Sequence, residues 1–275
     1  MANCNDNKEL RKQYENAGNL NSRMLLHQLF STNKQGWSNW VFQNYRLEAG
    51  QLILELGCGN GSFWAANAHK LPDNIRLILS DFSEGMLGAA KENASKIKNI
   101  EYKVIDAQAI PFEDNLFDIV IANHMLYHVP DLNRALKEIA RVLKDGGTFY
   151  ATTIGVNNTI EIVDILHDFD PSIDFAHGEI TRAFSLENGR EKLEKYFGSI
   201  ELRRYADSLH ITRAQPLIDY ILSSQGIGNV NEIIRGEKIE QFSGYISGLF
   251  SKTGYIDIQK DAGIFISSKV AHKEV

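Results

Sequence analysis

Only two cysteines, Cys4 and Cys58, occur in 275 residues. They lie far apart and match no metal-ligand spacing, so neither a disulfide framework nor a zinc site is expected, and a reducing compartment suits them. No apolar stretch approaches the ~20 residues that a spanning helix needs. The start MANCNDNKEL lacks the apolar core of a signal peptide, so the cytoplasm is the expected location. Basic residues are not in excess. The formal net charge of −6 argues against nucleic acid as a partner, since phosphate binding draws on a basic face. Internal repeats and low-complexity segments are absent too, which leaves an ordinary globular chain long enough for one large domain with a cap.

What is present is an alternation of strands and helices. Aliphatic runs at Leu52–Leu56, 75–80, 100–105, 117–122 and 148–153 read as five strands, and helical spacing falls at 61–70, 83–97 and 132–143. This predicts an α/β fold with a doubly wound parallel sheet. Residues 1–9 read as loose and 10–46 as helical. Beyond Ile154 the pattern changes: 155–198 and 213–250 read as helical insertions, with strands at 199–206 and 255–267. The expected organisation is an N-terminal helical cover, 1–46, and a domain, 47–275, with a lid built from the two insertions.

The stretch LILELGCGNGSF, 52–63, joins a buried strand to a helix through three glycines. Such a turn binds ligands, because glycine allows close backbone approach and the helix start offers free N–H groups. A nucleoside triphosphate would want a lysine after the last glycine, and none is there. A dinucleotide would want G-x-G-x-x-G, whereas Gly57, Gly59 and Gly61 give G-x-G-x-G. Glu55 would also repel a pyrophosphate. A cationic ligand reverses that sign, and S-adenosylmethionine (SAM) carries a sulfonium and an ammonium. Asp81 ends the second strand, where an acid suits two ribose hydroxyls.

The linked segments ELGCGNG, SDFSEGML, IDAQAIPFEDNLFDIVIANHMLYHV and ALKEIARVLKDGGTFYATT resemble the class I SAM-dependent methyltransferases, most of all the small-molecule and quinone subfamily. The resemblance covers about 50–153. It implies a seven-stranded Rossmann-like sheet in the order 3-2-1-4-5-7-6, with strand 7 antiparallel. It also implies roles, position by position. Glu55, Gly57, Gly59 and the Cys58 backbone would surround the methionyl part of SAM, and Asn123 would lie near it. Asp81 would hold the ribose, and Phe82 and Met86 would flank adenine. Asp106 would take the adenine amino group and Ala107 would offer its N–H. The reaction implied is methyl transfer to O, N or C of a small molecule, leaving S-adenosylhomocysteine (SAH).

Bland readings stand beside these. The glycines alone make a tight turn, Asp81 could be a helix cap if Ser83 is not, Met86 could be plain core, and Cys58 a small residue in a tight place. His124 and His128 flank Tyr127 after the fourth strand, where ligands bind in such sheets. Their i, i+4 spacing could put both on one helical face. They are candidates for a catalytic base, with Tyr127, and His27 and His210 are weaker ones. A His pair without a carboxylate is a poor zinc motif, and Asp131 more naturally caps the next helix, so no metal is expected. Trp37 and Trp40 read as a flap on the sheet, or as a moving wall of the acceptor pocket. A non-catalytic SAM sensor or assembly protein would carry the same cofactor motifs, and an RNA or protein substrate is the further alternative.

Overall fold

A computed structural model describes residues 17–223 and 228–269. Cys4, the loose start at 1–9 and the first part of the helical stretch expected from residue 10 lie outside the described residues. Seven strands form one sheet in the order β3-β2-β1-β4-β5-β7-β6. They are β1 Leu52–Leu56, β2 Arg76–Asp81, β3 Ile100–Val104, β4 Phe117–Asn123, β5 Leu143–Ile154, β6 Ser199–Ile211 and β7 Ile256–Ser268. β1 to β5 run parallel, and β7 lies antiparallel between β5 and β6.

Helices cover both faces, which is why the central strands read as unbroken aliphatic runs. In chain order they are α1 Ala17–Phe30, α2 Trp37–Asn44, α3 Ser62–Asn67, α4 Glu84–Asn93 and α5 Leu132–Val142, followed by α6 Ile160–Phe169, α7 His177–Ala183, α8 Gly189–Leu193, α9 Ala214–Leu222, α10 Val230–Ile233 and α11 Glu237–Thr253. α5 shows how sequence sets packing. Asp131 caps it by accepting the Arg134 N–H at 3.0 Å, and Ala135, Leu136, Ile139 and Val142 form one buried face. Each large aliphatic side chain buried this way stabilises by about 1.5–3 kcal/mol.

The outer strands outrun the sheet. β5 pairs with β7 as far as Ile154 opposite Ala262, but β6 and β7 continue together to Ile211 opposite Ile256. A two-stranded ribbon therefore projects past the carboxyl ends of the parallel strands. Its outer half is wrapped by α6, α9, α10, α11 and α1, with Leu26, Phe30, Ile162, Leu209, Leu217, Phe242 and Ile258 in one core. This is the lid.

Two expected boundaries change. The insertion at 155–198 is lid only in its first half. Phe184 packs on Phe265, and Phe197 stacks on Phe149 at 5.2 Å, so the chain from Phe184 to Phe197, α8 included, returns to the sheet, while α7 packs on the turn Leu126–His128. The N-terminal cover also divides. α1 joins the lid, whereas α2 buries Val41 and Phe42 in the core of the sheet. The linker between them is pinned to the ribbon by a bridge from Ser31 to Leu209 and by the Thr32 N–H donating to the Ser208 carbonyl at 2.9 Å. Hydrogen exchange is expected to show residues 37–45 strongly protected with or without SAH, while α1 slows when SAH binds. Slowing of α2 by SAH to the same degree as α1 would return both helices to a single moving cover.

Candidate functional site

β1 ends at the glycine turn. Gly57, Gly59 and Gly61 have φ of 70°, 56° and 69°, a region that side chains rarely adopt. Space adds a second constraint. A Cβ at Gly57 would stand 2.9 Å from the Met125 Cβ, and one at Gly61 would stand 3.0 Å from the Ala90 Cα. The turn is tied to β2 by two bonds: the Cys58 N–H donates to the Ser80 carbonyl at 2.8 Å, and the Gly59 N–H donates to Asp81 Oδ2 at 2.9 Å. The other Asp81 oxygen accepts the Ser83 N–H at 2.9 Å. Ser83, not Asp81, caps α4 through the Met86 N–H. Asp81 is thus left at the turn, with lone pairs to spare for hydroxyl donors.

Glu55 is a buried carboxylate only 2% exposed. Trp64 Nε1 donates to Oε2 at 2.5 Å and Asn123 Nδ2 donates to Oε1 at 2.8 Å. Asn123 in turn accepts from the Tyr45 hydroxyl at 3.0 Å and from the Thr152 hydroxyl at 3.3 Å. Burial pushes the Glu55 pKa up to about 7, although both side-chain donors oppose this. The Asp81 pKa is also raised, again chiefly by burial. Two desolvated acids beside a glycine turn favour a cationic ligand. Cys58 is buried in the same turn with its thiol pKa pushed far up by burial, so it is a packed small residue and no nucleophile.

Of the residues expected to meet adenine, Asp106 follows β3 and accepts the Gln108 N–H at 2.8 Å, and Ala107 is buried beside it. Phe82 is partly exposed after β2. Met86 is only 1% exposed and sits under α4 as core, so its reach to an adenine ring is the weakest of the expected contacts.

The other face of the site is aromatic. Trp37 stacks on Trp40 at 5.5 Å, meets the His124 ring at 5.1 Å and meets Tyr205 at 5.4 Å. Tyr127 packs against His128 at 4.6 Å and lies 6.4 Å from His124. The two histidines do not share a helical face. His124 has φ 49°, which ends β4 in a left-handed turn, and only Leu126–His128 form a short 3-10 turn. His210 stands away from the site on the ribbon, half-exposed and 2.7 Å from Asp257. His27 of α1 packs edge-on against Tyr220 at 5.8 Å, and its Nδ1 is buried without a hydrogen-bond partner.

Sequence reasoning missed Trp64, Tyr45 and Thr152, which hold Glu55 and Asn123. It also missed Asp207 and Lys260, an ion pair of 2.8 Å whose side chains are 0% and 9% exposed. Their signal was a charge in the middle of each of two strands, and those strands place them opposite each other. A shallow cavity of about 340 Å³ lies at the opposite edge, where β1, β2 and β3 begin, and belongs to none of this chemistry. Among the described residues no group of three His, Cys, Asp or Glu could hold a metal ion, and no helix is long and apolar enough to cross a membrane.

The buried titrating groups set an acid response. Burial, with Lys260 adding, lowers the His27 pKa from 6.5 to about 3, and the same two causes lower that of His124 to about 4. Below pH 6.5 the unfolded chain protonates both while the folded chain does not, so their stability is lost as pH falls from 6.5 towards 4. Glu55 acts oppositely. Its folded pKa is raised from 4.5 to about 7, so it favours the folded state below 4.5 and loses that contribution as pH rises through 7. Between 4.5 and 6.5 the unfolded state holds two extra protons and the folded state one, a net of one. Stability is expected to rise by about 1.4 kcal/mol per pH unit in that window. Urea unfolding across it checks this. Replacing both histidines by Phe should reverse the slope, and an unaltered slope would refute the assignment.

Comparison with known proteins agrees with the geometry. Residues 54–151 match the family described as a methyltransferase domain. A demethylmenaquinone methyltransferase of Staphylococcus aureus is 37% identical over 111 residues, covering 40% of this chain and 46% of that protein. The ubiquinone/menaquinone biosynthesis C-methyltransferase UbiE of an Enterobacter species is 33% identical over 114 residues, covering 40% and 45%. The chain thus spans about half the length of the curated relatives it matches. In structure, it resembles phosphoethanolamine N-methyltransferase 2 of Haemonchus contortus bound to SAH, with a TM-score of 0.57 at 22% identity, over 94% of this chain and 58% of that one. With this sheet order, this glycine turn and these matches, the chain carries a methyltransferase domain of the class I, SAM-dependent family.

Proposed function

We propose that the protein transfers the methyl group of SAM to an O, N or C nucleophile of a small molecule held beneath the lid. The observation that carries this is the pair of acids, the buried Glu55 and the half-buried Asp81, on either side of a turn that only glycine fits. Asp81 would accept from the ribose hydroxyls while it holds Gly59. Glu55 would compensate the cationic methionyl end, with Asn123 oriented between them by Tyr45 and Thr152. Phe82, Asp106 and the Ala107 N–H would receive adenine, with Met86 behind them. The sulfonium supplies an already activated methyl group, so the protein's own work is to align the acceptor and exclude water. Trp37, Trp40, His124, Tyr127 and His128 would wall the acceptor side, with His27 above.

The lid covers the carboxyl ends of the strands, and that supports a metabolite over RNA or protein. The spaced cysteines support a cytoplasmic location. Calorimetry should show SAM and SAH binding and NADH not binding. An acceptor screen read by SAH formation and product mass then tests turnover. Demethylmenaquinone and phosphoethanolamine, taken from the names of the similar proteins, belong in its first plate. SAM binding with no turnover across a broad screen would favour the sensor reading, and binding of NADH in place of SAM would refute the cofactor.

A further inference from the structure

The sheet ends in two edge strands, β6 and β3. An open edge offers unpaired backbone N–H and C=O groups to any strand that meets it. The outer side of β6 is occupied by the protein itself. The Thr32 N–H donates to the Ser208 carbonyl at 2.9 Å, Asn33 Nδ2 donates to the Ala206 carbonyl at 2.8 Å, and Arg190 Nη2 donates to the Ile200 carbonyl at 2.8 Å. β3 has no such cover. Among the described residues it pairs with β2 alone.

The register fixes which groups of β3 are open. The Asn99 carbonyl accepts the Leu77 N–H at 3.1 Å, and the Ile105 N–H donates to the Asp81 carbonyl at 3.2 Å. Backbone groups alternate sides along a strand. Asn99, Glu101, Lys103 and Ile105 therefore turn to β2, and Ile100, Tyr102 and Val104 turn outward. The side chains add a second pattern. Glu101 and Lys103 share one face, are 56% and 43% exposed, and approach each other only to 3.9 Å. Val104 is 50% exposed. Tyr102 lies on the other face, where its hydroxyl reaches the Ala90 carbonyl of α4 at 3.5 Å.

Charges on an edge ordinarily keep other strands away. The order of these two makes an exception for a second copy of the same strand. When IEYKV is turned end for end about an axis at Tyr102, its Lys103 stands opposite Glu101 and its Glu101 opposite Lys103. Val104 of each copy meets Ile100 of the other. The outward N–H and C=O groups of Ile100, Tyr102 and Val104 then bond in exchange. The Glu–Lys pairs fall at the positions between those bonds, where side chains across antiparallel strands stand closest. A slip of two residues would set Glu101 against Glu101 or Lys103 against Lys103, so the charges allow a single register. We propose that β3 is the contact between two copies of this chain, joined antiparallel about a twofold axis at Tyr102 into one continuous sheet. Five residues a side make a small contact, so the dimer is of the transient class.

Sedimentation velocity of the full chain between about 1 and 200 μM, the range in which small contacts associate, should show monomer passing to dimer. In the same samples amide exchange at Ile100, Tyr102 and Val104 should slow as concentration rises. Glu101→Lys or Lys103→Glu alone sets like charges opposite each other and should weaken the dimer at least tenfold. Mixing these two variants sets Lys against Glu again at both positions, and should restore association to within threefold as a dimer holding one of each. Val104→Pro removes an outward N–H that β2 does not use, and should weaken the dimer at least tenfold with the thermal midpoint of the monomer unchanged. A chain that stays monomeric throughout, a dimer indifferent to both charge reversals, or a mixture that fails to recover association would each overturn the proposal. So would slow exchange of the three outward amides at the lowest concentration, which would mean that the chain's own residues cover the edge.

Discussion

Asp207→Ala is expected to destabilise the protein by about 3–5 kcal/mol, the scale for removing one partner of a buried ion pair. The carboxylate is 0% exposed and Lys260 9%, so the lysine left behind stays enclosed with no counter-charge. The Ser31 hydroxyl and the Asn33 N–H lose their acceptor in the same step. Asp207 therefore holds three things together: the two strands of the ribbon, and the linker that carries α1. Urea unfolding should show the midpoint shift, and hydrogen exchange should place the loosening at 31–33, 206–211 and 256–261. Asp207→Asn keeps an acceptor for Asn33 and Ser31 and should cost less. A loss below about 1 kcal/mol in Asp207→Ala would mean that water enters and solvates Lys260, and the ribbon would not depend on the pair.

That pair also shows where reading the sequence stops. β6 was expected over 199–206, and Asp207 and His210 were left outside it. In the fold they lie opposite Lys260 and Asp257, and these cross-strand partners carry the strand on to Ile211. Nothing local reveals such a pairing between residues 53 positions apart. β5 was placed at Thr148 because Asp145-Gly146-Gly147 reads as a helix stop. It begins at Leu143, which pairs with Phe117 ahead of an irregularity, and Gly146 takes φ 74°. The central strands were legible because strands covered on both faces need uninterrupted aliphatic runs. The sheet order came from the resemblance to the methyltransferase family, and the strand pairings agree with it.

The site divides along the same line. Gly57, Gly59 and Asp81 were legible because their chemistry is local: positive φ, and an acid at a strand end. Trp64 follows Glu55 by nine residues and read as one more apolar helix position, though its indole N–H is the bond that holds the carboxylate. Tyr45 reaches Asn123 across 78 residues, and Lys260 helps lower the His27 pKa from near the other end of the chain. The i, i+4 spacing of His124 and His128 misled because the left-handed turn at His124 is set by its bonds to Thr152 on the neighbouring strand.

Asp81→Ala is expected to weaken SAH and SAM binding about a hundredfold, roughly 3 kcal/mol. Two effects add. On the proposed binding mode the ribose hydroxyls would lose a charged acceptor, and the Gly59 N–H loses the bond that ties the glycine turn to β2. Stability should respond far less. Burial raises the Asp81 pKa, so the ionised carboxylate is itself a strained element of the folded protein, and its removal offsets much of what the Gly59 and Ser83 bonds contribute. A site that favours a ligand at the expense of the fold is what function at this position predicts. Asp106→Ala should weaken binding less, because the Ala107 N–H remains to meet the adenine. Calorimetry with SAH, alongside urea unfolding of the same samples, separates the two quantities. An unchanged affinity would remove Asp81 from the cofactor site, and a stability loss as large as the affinity loss would reduce it to a brace for the glycine turn.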